Sequence, residues 1–411
     1  MWAAISCSWQ RSLIGSLPRS YRTPLASRSL PATSDTVRAA FALPVAIAAL
    51  GFAATFDVGW RQSSLFAVAL VIGFTLHRAN FGFSGAYRAL ILRGEVAGLR
   101  AQALMIAIAT LLFAPVLAAG EAFGLGMHGA VAPIGLSVVV GAAIFGIGMQ
   151  LGGGCGSGTL FTLGGGSTRM AITLVMFCIG GFWASLDWPF WSRLPAIDAI
   201  VLGERLGWPA ATLLQVGALI GAWILLGGRG HGREAAQPKQ RRSRPYAAWP
   251  LAAAAALLAL LNFATLILSG GPWSITWGFT LVAAKAALAL GWDPAAHLFW
   301  QDEFQSAALR APLARDVVVV MDVAILTGAM AASILAGRFA PTLRLPPGTI
   351  LASILGGLML GYGSRISFGC NIGAFFSGAA STSLHGWLWL LAALAGTWFG
   401  VRLRPLFGFQ D

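Results

Sequence analysis

The apolar chain is interrupted at Gly152-Gly153-Gly154-Cys155-Gly156-Ser157-Gly158-Thr159 and again at Phe368-Gly369-Cys370-Asn371-Ile372-Gly373. Glycine costs about 1 kcal/mol per residue in a helix relative to alanine, so the first stretch predicts a break in the helix that leads into it. Each break carries one cysteine and is followed by a short apolar piece, Ser157–Gly166 or Asn371–Ser381. Neither piece is long enough to cross a bilayer, because a crossing needs roughly 20 apolar residues.

The composition of the chain excludes a water-soluble protein. Apolar residues account for 57% of the 411 residues and charged residues for only 10%, whereas an average soluble protein has roughly 25% charged residues. A soluble enzyme, a coiled coil and a disordered protein are excluded, and an all-α integral membrane protein is predicted. Most of the 25 arginines flank long apolar segments, as in membrane proteins. We therefore expect membrane lipid, and no nucleic acid, as a partner.

Eleven apolar segments are candidates for membrane helices, which predicts about 9 to 11 crossings. Two of them, Leu65–Leu76 and Ile275–Leu290, are short or contain a charge, and we interpret them as spans, half-helices or re-entrant segments. The nine clear candidates are Ala39–Phe56, Ala101–Gly120, Val131–Met149, Arg169–Leu186, Pro209–Leu226, Ala248–Leu268, Val317–Gly337, Pro347–Gly363 and Gly386–Leu403.

Polar stretches divide the chain into four regions. Residues 1–38 are rich in Ser and Arg and are interpreted as a disordered cytoplasmic tail, with a transit peptide or an upstream start codon as alternatives. Residues 39–227 form the first membrane repeat, 228–247 a basic cytoplasmic linker and 248–411 the second membrane repeat.

The two membrane regions are related by a shift of 215 residues, which places Cys155 on Cys370 and Trp183 on Trp398. Ten identities fall within 48 positions of this gapless frame. Cytoplasmic arginines would place the Cys155 break near the inner side and the Cys370 break near the outer side, provided that residues 270–290 contribute an even number of crossings or a re-entrant hairpin. The sequence therefore predicts two inverted repeats, which are typical of transporters.

The apolar piece after each cysteine predicts a half-helix whose free N–H groups point into the break. Helix N-termini bind anions, and a thiol would lie at the mouth of each such site. The alternative is that the two cysteines fill space where helices cross. Cys7 and Cys178 are expected to be incidental. The predicted pore residues are Cys155, Cys370, Gly154, Gly156, Ser157, Gly158, Gly369, Asn371, Gly373 and Arg365.

Four residues in apolar surroundings have two interpretations each. Arg365 either attracts an anion or marks the membrane surface, and Asp322 is either functional or ion-paired. Lys285 either snorkels or belongs to the site. Trp273 is interpreted as an interfacial belt residue, with a role in the site as the alternative. We find no enzyme motif and no cofactor or metal-ligand spacing in the sequence.

The motifs Gly153-Gly154-Cys155-Gly156-Ser157-Gly158-Thr159-Leu160 and Phe368–Gly378 resemble those of the YeeE/YedE family. The motifs Ser383-Leu384-His385-Gly386-Trp387 and Gly271-Pro272-Trp273 are similar to its YedE branch and add His385 to the possible site residues. The resemblance covers most of residues 40–405 and implies an inner-membrane transporter of sulfur compounds in which Cys155 and Cys370 relay the substrate. Characterised members take up thiosulfate, the YedE branch is linked to selenium metabolism, and many members act beside a TusA-like sulfur-carrier protein.

One motif departs from the family. Members often carry a third cysteine in the pattern that here reads His77-Arg78-Ala79-Asn80-Phe81-Gly82-Phe83-Ser84. This departure favours a substrate related to thiosulfate, or a route with two cysteines.

We therefore expect a permease for a small sulfur- or selenium-containing anion, with no enzymatic activity and no cofactor. A membrane thiol-disulfide oxidoreductase with Cys155 and Cys370 as its redox pair is the main alternative, although such sites usually hold a CxxC pair. A metal-cation channel would require acidic or His rings along its pore, and only Asp322 is placed to contribute to one.

Overall fold

The computed structural model describes residues 34–234, 249–339, 341 and 344–409. It is 78% helical, and in its described part nine helical segments are long and apolar enough to cross a membrane. The prediction of an all-α, multi-pass membrane protein is therefore confirmed.

In the first half of the chain, the described residues 34–234 form ten helices. They are α1 (Ser34–Phe56), α2 (Trp60–Ala79), α3 (Phe83–Arg93), α4 (Ala97–Ala119), α5 (Leu136–Gly152), α6 (Gly156–Gly164), α7 (Thr168–Leu186), α8 (Trp188–Trp191), α9 (Leu202–Leu206) and α10 (Trp208–Glu234). Two antiparallel pairs of very short strands lie in the loops: β1 (Glu121–Ala122) with β2 (Leu125–Gly126), and β3 (Ile134–Gly135) with β4 (Ala196–Ile197).

In the second half, the part that the structure describes from residue 249 onward forms seven α-helices and one π-helix. They are α11 (Leu251–Ser269), α12 (Thr276–Ala289), α13 (Glu303–Arg310), α14 (Val317–Leu335), α15 (Pro347–Ile366), the π-helix Asn371–Ser377, α16 (Gly378–Ala380) and α17 (Leu384–Leu403). Four 3₁₀ turns lie between or after these helices, at Pro294–Ala296, Leu298–Gln301, Leu313–Arg315 and Arg404–Phe407.

Several predicted boundaries change. The segment Leu65–Leu76 is the centre of the complete 20-residue helix α2. Residues 131–133 are not helical and Ile134–Gly135 pairs with β4 as strand β3, so α5 begins at Leu136. Helix α10 continues to Glu234, past the predicted start of the linker at 228, and α1 begins at Ser34. The rest of the predicted linker and residues 1–33, including Cys7, lie outside the described residues.

Four helices form the centre of the bundle, and small residues allow them to touch. Helix α7 packs against α15 and α5 against α17, while α5 also crosses α15. At that crossing, a Cβ on Gly141 would lie 2.7 Å from the Gly363 carbonyl oxygen, and one on Gly148 would lie 2.9 Å from the Gly356 carbonyl oxygen. A stripe of small residues permits such close approach.

These contacts also fix the helix directions. Because residue 141 meets 363 and residue 148 meets 356, α5 and α15 run antiparallel. The shift of 215 residues places 141 on 356 and 148 on 363. Exchanging the two halves therefore turns the contact between 141 and 363 into the contact between 356 and 148, which is the packing that an inverted repeat requires. The repeat itself stays a prediction.

The two ends of the bundle differ in charge. Helices α7 and α15 run in the same direction, because Arg169 contacts Ser353 near their starts and Tyr362 contacts Asp187 near their ends. We call the end near their starts the arginine-rich end and the other the acidic end. The arginine-rich end has one acid, Glu95, among the described residues around its arginines, which are Arg78, Arg88, Arg93, Arg100, Arg169, Arg338, Arg402 and Arg404. At the acidic end, the acids Asp187, Asp198, Asp293, Asp302, Glu303 and Asp316 are interspersed with the arginines Arg193, Arg205, Arg310 and Arg315.

Candidate functional site

The two glycine breaks meet inside the protein. A Cβ placed on Gly156 would lie 3.2 Å from the Cys370 Sγ and 3.3 Å from a methyl carbon of Ile275. Cys155 and Cys370 are both completely buried. The structure therefore brings the two predicted cysteine motifs to one place, together with the segment that leads into α12. We call this place the junction.

The first break places its thiol at the start of a half-helix. Gly153 has a φ of 93°, which favours glycine, and turns the chain back after α5. Cys155 is the N-cap residue of α6, and its Sγ accepts a hydrogen bond from the Gly158 N–H at 3.4 Å. The Ser157 hydroxyl lies 3.4 Å from the same sulfur. The predicted half-helix after Cys155 is present.

The second break is built like the first, but a π-helix follows its cysteine instead of an α-helix. Phe368 has a φ of 62° and Gly369 a φ of 148°, and together they turn the chain after α15. Cys370 is the N-cap residue of the π-helix, and its Sγ accepts from the Ile372 N–H at 3.4 Å. The predicted piece Asn371–Ser381 thus begins as a π-helix rather than an α-helix. Short π-helical turns are rare and are often found at functional sites.

A cavity of about 470 Å³ reaches the junction from the arginine-rich end. Cys155, Gly154 and Gly158 lie at its inner end, and Arg88 and Arg93 are among the residues nearer the surface. Gly82, which lies in the motif where relatives often carry a cysteine, also lines this cavity. Gly154, Cys155 and Gly158 are therefore the predicted site residues that line this cavity.

Two polar residues from outside the two motifs, Tyr87 and Ser274, lie beside the residues that follow Cys370. The Asn371 amide donates to the Tyr87 hydroxyl at 3.4 Å, and its Oδ1 has no partner within the described residues. Ser274 lies beside Gly373, because a Cβ on that glycine would be 3.3 Å from the Ser274 Oγ. Tyr87 and Ser274 were not predicted as site residues. Tyr87 is one of only 4 tyrosines in the chain, and this scarcity was the one available signal.

The segment between α11 and α12 is re-entrant. At the acidic end, the Gly270 carbonyl oxygen accepts a hydrogen bond from the His128 backbone N–H. Only five residues later, Ile275 lies at the junction, beside Gly156. Helix α12 then returns to the acidic end, where Trp292 packs on Phe182 with ring centroids 5.4 Å apart. This path is the re-entrant hairpin that the orientation argument required of residues 270–290.

Trp273 lies within that segment and is completely buried. Its backbone N–H donates a hydrogen bond to the Asn262 Oδ1 at 2.8 Å, and its backbone carbonyl oxygen accepts one from the Ser377 hydroxyl at 2.8 Å. The interpretation of Trp273 as an interfacial belt residue is therefore wrong. The residue ties the re-entrant segment to the π-helix.

Arg365 lies at the acidic end of α15, five residues before Cys370. Its guanidinium carbon is 5.2 Å from the Phe299 ring centroid and 5.9 Å from the Trp277 ring centroid. Its Nε has no hydrogen-bond partner in the described part of the chain. Arg365 therefore holds a positive charge against aromatic rings on the opposite side of the junction from the cavity.

Two further candidates, Lys285 and His385, lie away from the junction, as does Cys178, which we expect to be incidental. The Lys285 ammonium donates to the carbonyl oxygens of Leu309 at 2.7 Å and Ala311 at 2.6 Å, so it caps the end of α13. The buried His385 Nδ1 lies 2.7 Å from the Ser383 hydroxyl at the start of α17. Cys178 is half-buried in the middle of α7.

Asp322 is buried on α14, and neither of its carboxylate oxygens has a hydrogen-bond partner among the described residues. The interpretation of Asp322 as ion-paired is therefore wrong. The same residues contain no group of three or more His, Cys, Asp and Glu side chains that would hold a metal ion.

Comparison with known proteins relates the chain to transporters. The chain is 26% identical to the thiosulfate transporter TsuA of Spirochaeta thermophila over 80% of its own length and 95% of that protein. It is 25% identical to TsuA of Escherichia coli over 82% of its length and 93% of that protein. It is 32% identical to the probable transporter YedE of Escherichia coli over 38% of each chain.

These relatives favour a transporter, and they do not favour the thiol-disulfide oxidoreductase alternative. The model of one protein family, described as sulphur transport, matches residues 78–399, which include both cysteine motifs. This multi-pass membrane protein therefore belongs to the sulphur transport (YeeE/YedE) family.

Proposed function

We propose that the protein moves a small sulfur-containing dianion of the thiosulfate type across the membrane through the junction. The observation that carries the proposal is the meeting of two N-cap thiols, Cys155 and Cys370, at the starts of two half-helices. Two relatives that match over most of their length are named thiosulfate transporters.

The chemistry of the junction suits this cargo. The free N–H groups at a helix N-terminus stabilise negative charge, and two such ends stabilise it from both sides. A thiol is a weak donor, so it binds a soft terminal sulfur without holding it tightly. Transport requires binding that is weak enough for the ion to leave. We propose that Cys155 and Cys370 bind the ion in succession.

The surroundings suggest where the ion enters and leaves. Arg365 is placed to attract an anion from the acidic end, and the cavity with Arg88 and Arg93 receives it at the arginine-rich end. Because arginine-rich ends face the cytoplasm, we propose inward transport across a bacterial inner membrane with the N-terminus inside. Exposed apolar side chains such as Leu213 and Leu225 of α10 would then contact lipid.

Two finer proposals follow from the resemblance to the YedE branch. The substrate range extends to a selenium analogue, because selenium is as soft as sulfur and Gly82 leaves space in the motif where relatives often carry a cysteine. A TusA-like carrier protein would take the sulfur at the arginine-rich end, where the cavity opens.

Uptake into proteoliposomes tests the proposal. The full chain is reconstituted, and entry of labelled thiosulfate, sulfite, sulfide and selenite is compared for the parent and for Cys370→Ala. We expect thiosulfate to enter fastest, and the variant to lose at least about tenfold of that rate, or roughly 1.4 kcal/mol on the limiting barrier. Equal entry of thiosulfate with and without Cys370 would contradict the role of the thiols, and no entry of any of the four ions would contradict the function.

A further inference from the structure

Asp322 is a buried acid with no counter-charge in contact among the described residues. Its side chain is 6% exposed, and both oxygens lack a hydrogen-bond partner within the same part of the chain. Glycine at position 278 makes room for it, since a Cβ there would lie 2.6 Å from the Asp322 Oδ2. A buried, unpaired carboxylate is costly, whereas a protonated carboxyl group in the same place carries no charge.

The position of Asp322 relates it to the junction. The Asp322 side chain packs against Gly278 on α12. Two residues earlier on the same helix, Thr276 reaches the junction, since its methyl carbon would lie 3.7 Å from a Cβ on Gly156. The Cys370 Sγ lies beside the same glycine, since it would be 3.2 Å from that Cβ. An ionised Asp322 would therefore repel an anion bound at the Cys370 thiol.

The other ionisable groups around α14 do not neutralise Asp322. Lys285 on α12 is held by the carbonyl oxygens of α13, Arg61 on α2 bonds to the Phe123 carbonyl oxygen, and Asp316 at the start of α14 accepts from Trp277 and Val319. Among the described residues, the ionisable groups on or beside the elements around α14 are Asp57 after α1, Arg61, His77 and Arg78 on α2, Cys155 before α6, Cys178 on α7, Lys285 on α12, Cys370 in the second break, and Arg315, Asp316 and Arg338 at the two ends of α14.

We propose that Asp322 is a proton-binding site that couples anion passage to proton movement. The proton binds one carboxylate oxygen when the anion occupies the Cys370 side of the junction, and it leaves the same oxygen after the anion has moved on. Only an O–H bond forms and breaks. The two binding events favour each other reciprocally, as linkage requires.

The inference rests on the proposed function, so its test separates the two. Proteoliposomes with the full chain are clamped at zero membrane potential with valinomycin and potassium, and labelled thiosulfate entry is measured with and without an acid-outside gradient. We expect the gradient to raise entry by about fivefold or more, within the ordinary range of coupling strengths. Asp322→Asn should lose this stimulation and keep gradient-free thiosulfate exchange, and Asp322→Glu should restore part of it.

Asp316→Asn is the matched control, because asparagine also caps a helix; it should keep the stimulation. Stimulation that survives in Asp322→Asn, a parent that does not respond to the gradient, or a response to sodium instead would overturn the proton site.

A parent that exchanges no thiosulfate overturns the proposed function, and infrared spectroscopy then decides on Asp322. The carbonyl band of a protonated carboxyl group should grow in the parent when thiosulfate is added at neutral pH, and no such band should appear in Asp322→Asn. A carboxylate band in its place would overturn the proposal.

Discussion

At the scale of single residues, the two cysteines occupy a position that serine, threonine, aspartate or asparagine usually takes. An N-cap residue stabilises a helix by accepting a backbone N–H, and Cys155 and Cys370 do so through sulfur at 3.4 Å. Sulfur is a weak acceptor. Capping alone does not explain why cysteine is present at both sites, so we assign the preference to the cargo.

Cys155→Ser and Cys370→Ser test this assignment. Serine is a better N-cap residue than cysteine, so both variants should fold and reach the membrane at normal abundance. The hydroxyl is a harder ligand for a soft sulfur atom. We expect each substitution to lower the rate of thiosulfate uptake at least about tenfold, which corresponds to roughly 1.4 kcal/mol.

The matched control is Cys178→Ser, in the middle of α7 and away from both breaks. It should leave most of the uptake intact. Comparing each single variant with the Cys155→Ser, Cys370→Ser double variant would show whether the two thiols act in one step or in two. If the double variant transported like the parent, the junction would be a plain anion pore whose selectivity rests on the helix ends and Arg365.

At the scale of helices, the centre of the bundle depends on glycines that allow backbones to touch. A Cβ on Gly356 would overlap the backbone of Gly152, and one on Gly361 would overlap the backbone of Phe177. Glycine at these positions is therefore a packing requirement. In contrast, a Cβ added to Gly217 or Gly221 on α10 would have no atom of the described residues within 4 Å.

Gly356→Ala should separate α15 from α5 and destabilise the protein. Overpacking costs about 1 to 3 kcal/mol. Because the added Cβ would overlap backbone atoms of Gly152, we expect the upper part of that range, which outweighs the gain of about 1 kcal/mol in helix propensity. We expect a lower melting temperature in detergent and a loss of uptake. Gly221→Ala gains the same propensity without a clash and should melt at or above the parent temperature. Equal melting of the two variants would argue against tight packing at the crossing.

The helices that cross the bundle were predictable, because apolar length is a local property of the sequence. The two breaks were predictable as well, since glycine and cysteine repeat at the same spacing. The π-helix after Cys370 and the burial of Trp273 were not, because both depend on contacts with residues far away in the sequence. Tyr87 was missed for the same reason: it reaches Asn371 only through the fold.

At the scale of the whole molecule, the excess of arginine at one end predicts the orientation, and the orientation decides whether an entering anion moves against the membrane potential. Moving one negative charge inward against 100 mV costs about 2.3 kcal/mol. A dianion therefore costs about twice that amount, and accumulation requires either removal inside the cell or coupling to another ion. The proposed proton site at Asp322 provides the second possibility within the chain.

The charge at its two ends predicts how the molecule is oriented in the membrane. Arginine-rich ends face the cytoplasm, so the end that carries Arg338 should lie inside and the end that carries the exposed Leu290 should lie outside. The test uses single reporter cysteines, Arg338→Cys, Leu406→Cys and Leu290→Cys, in a chain without Cys7 and Cys178. In intact cells an impermeant maleimide should label only Leu290→Cys, and the other two should react after permeabilisation.

Cys155 and Cys370 are buried, and the chain without an added reporter gives the background. Labelling of Arg338→Cys in intact cells would reverse the direction of α15, and with it the proposed path from Arg365 to the cavity.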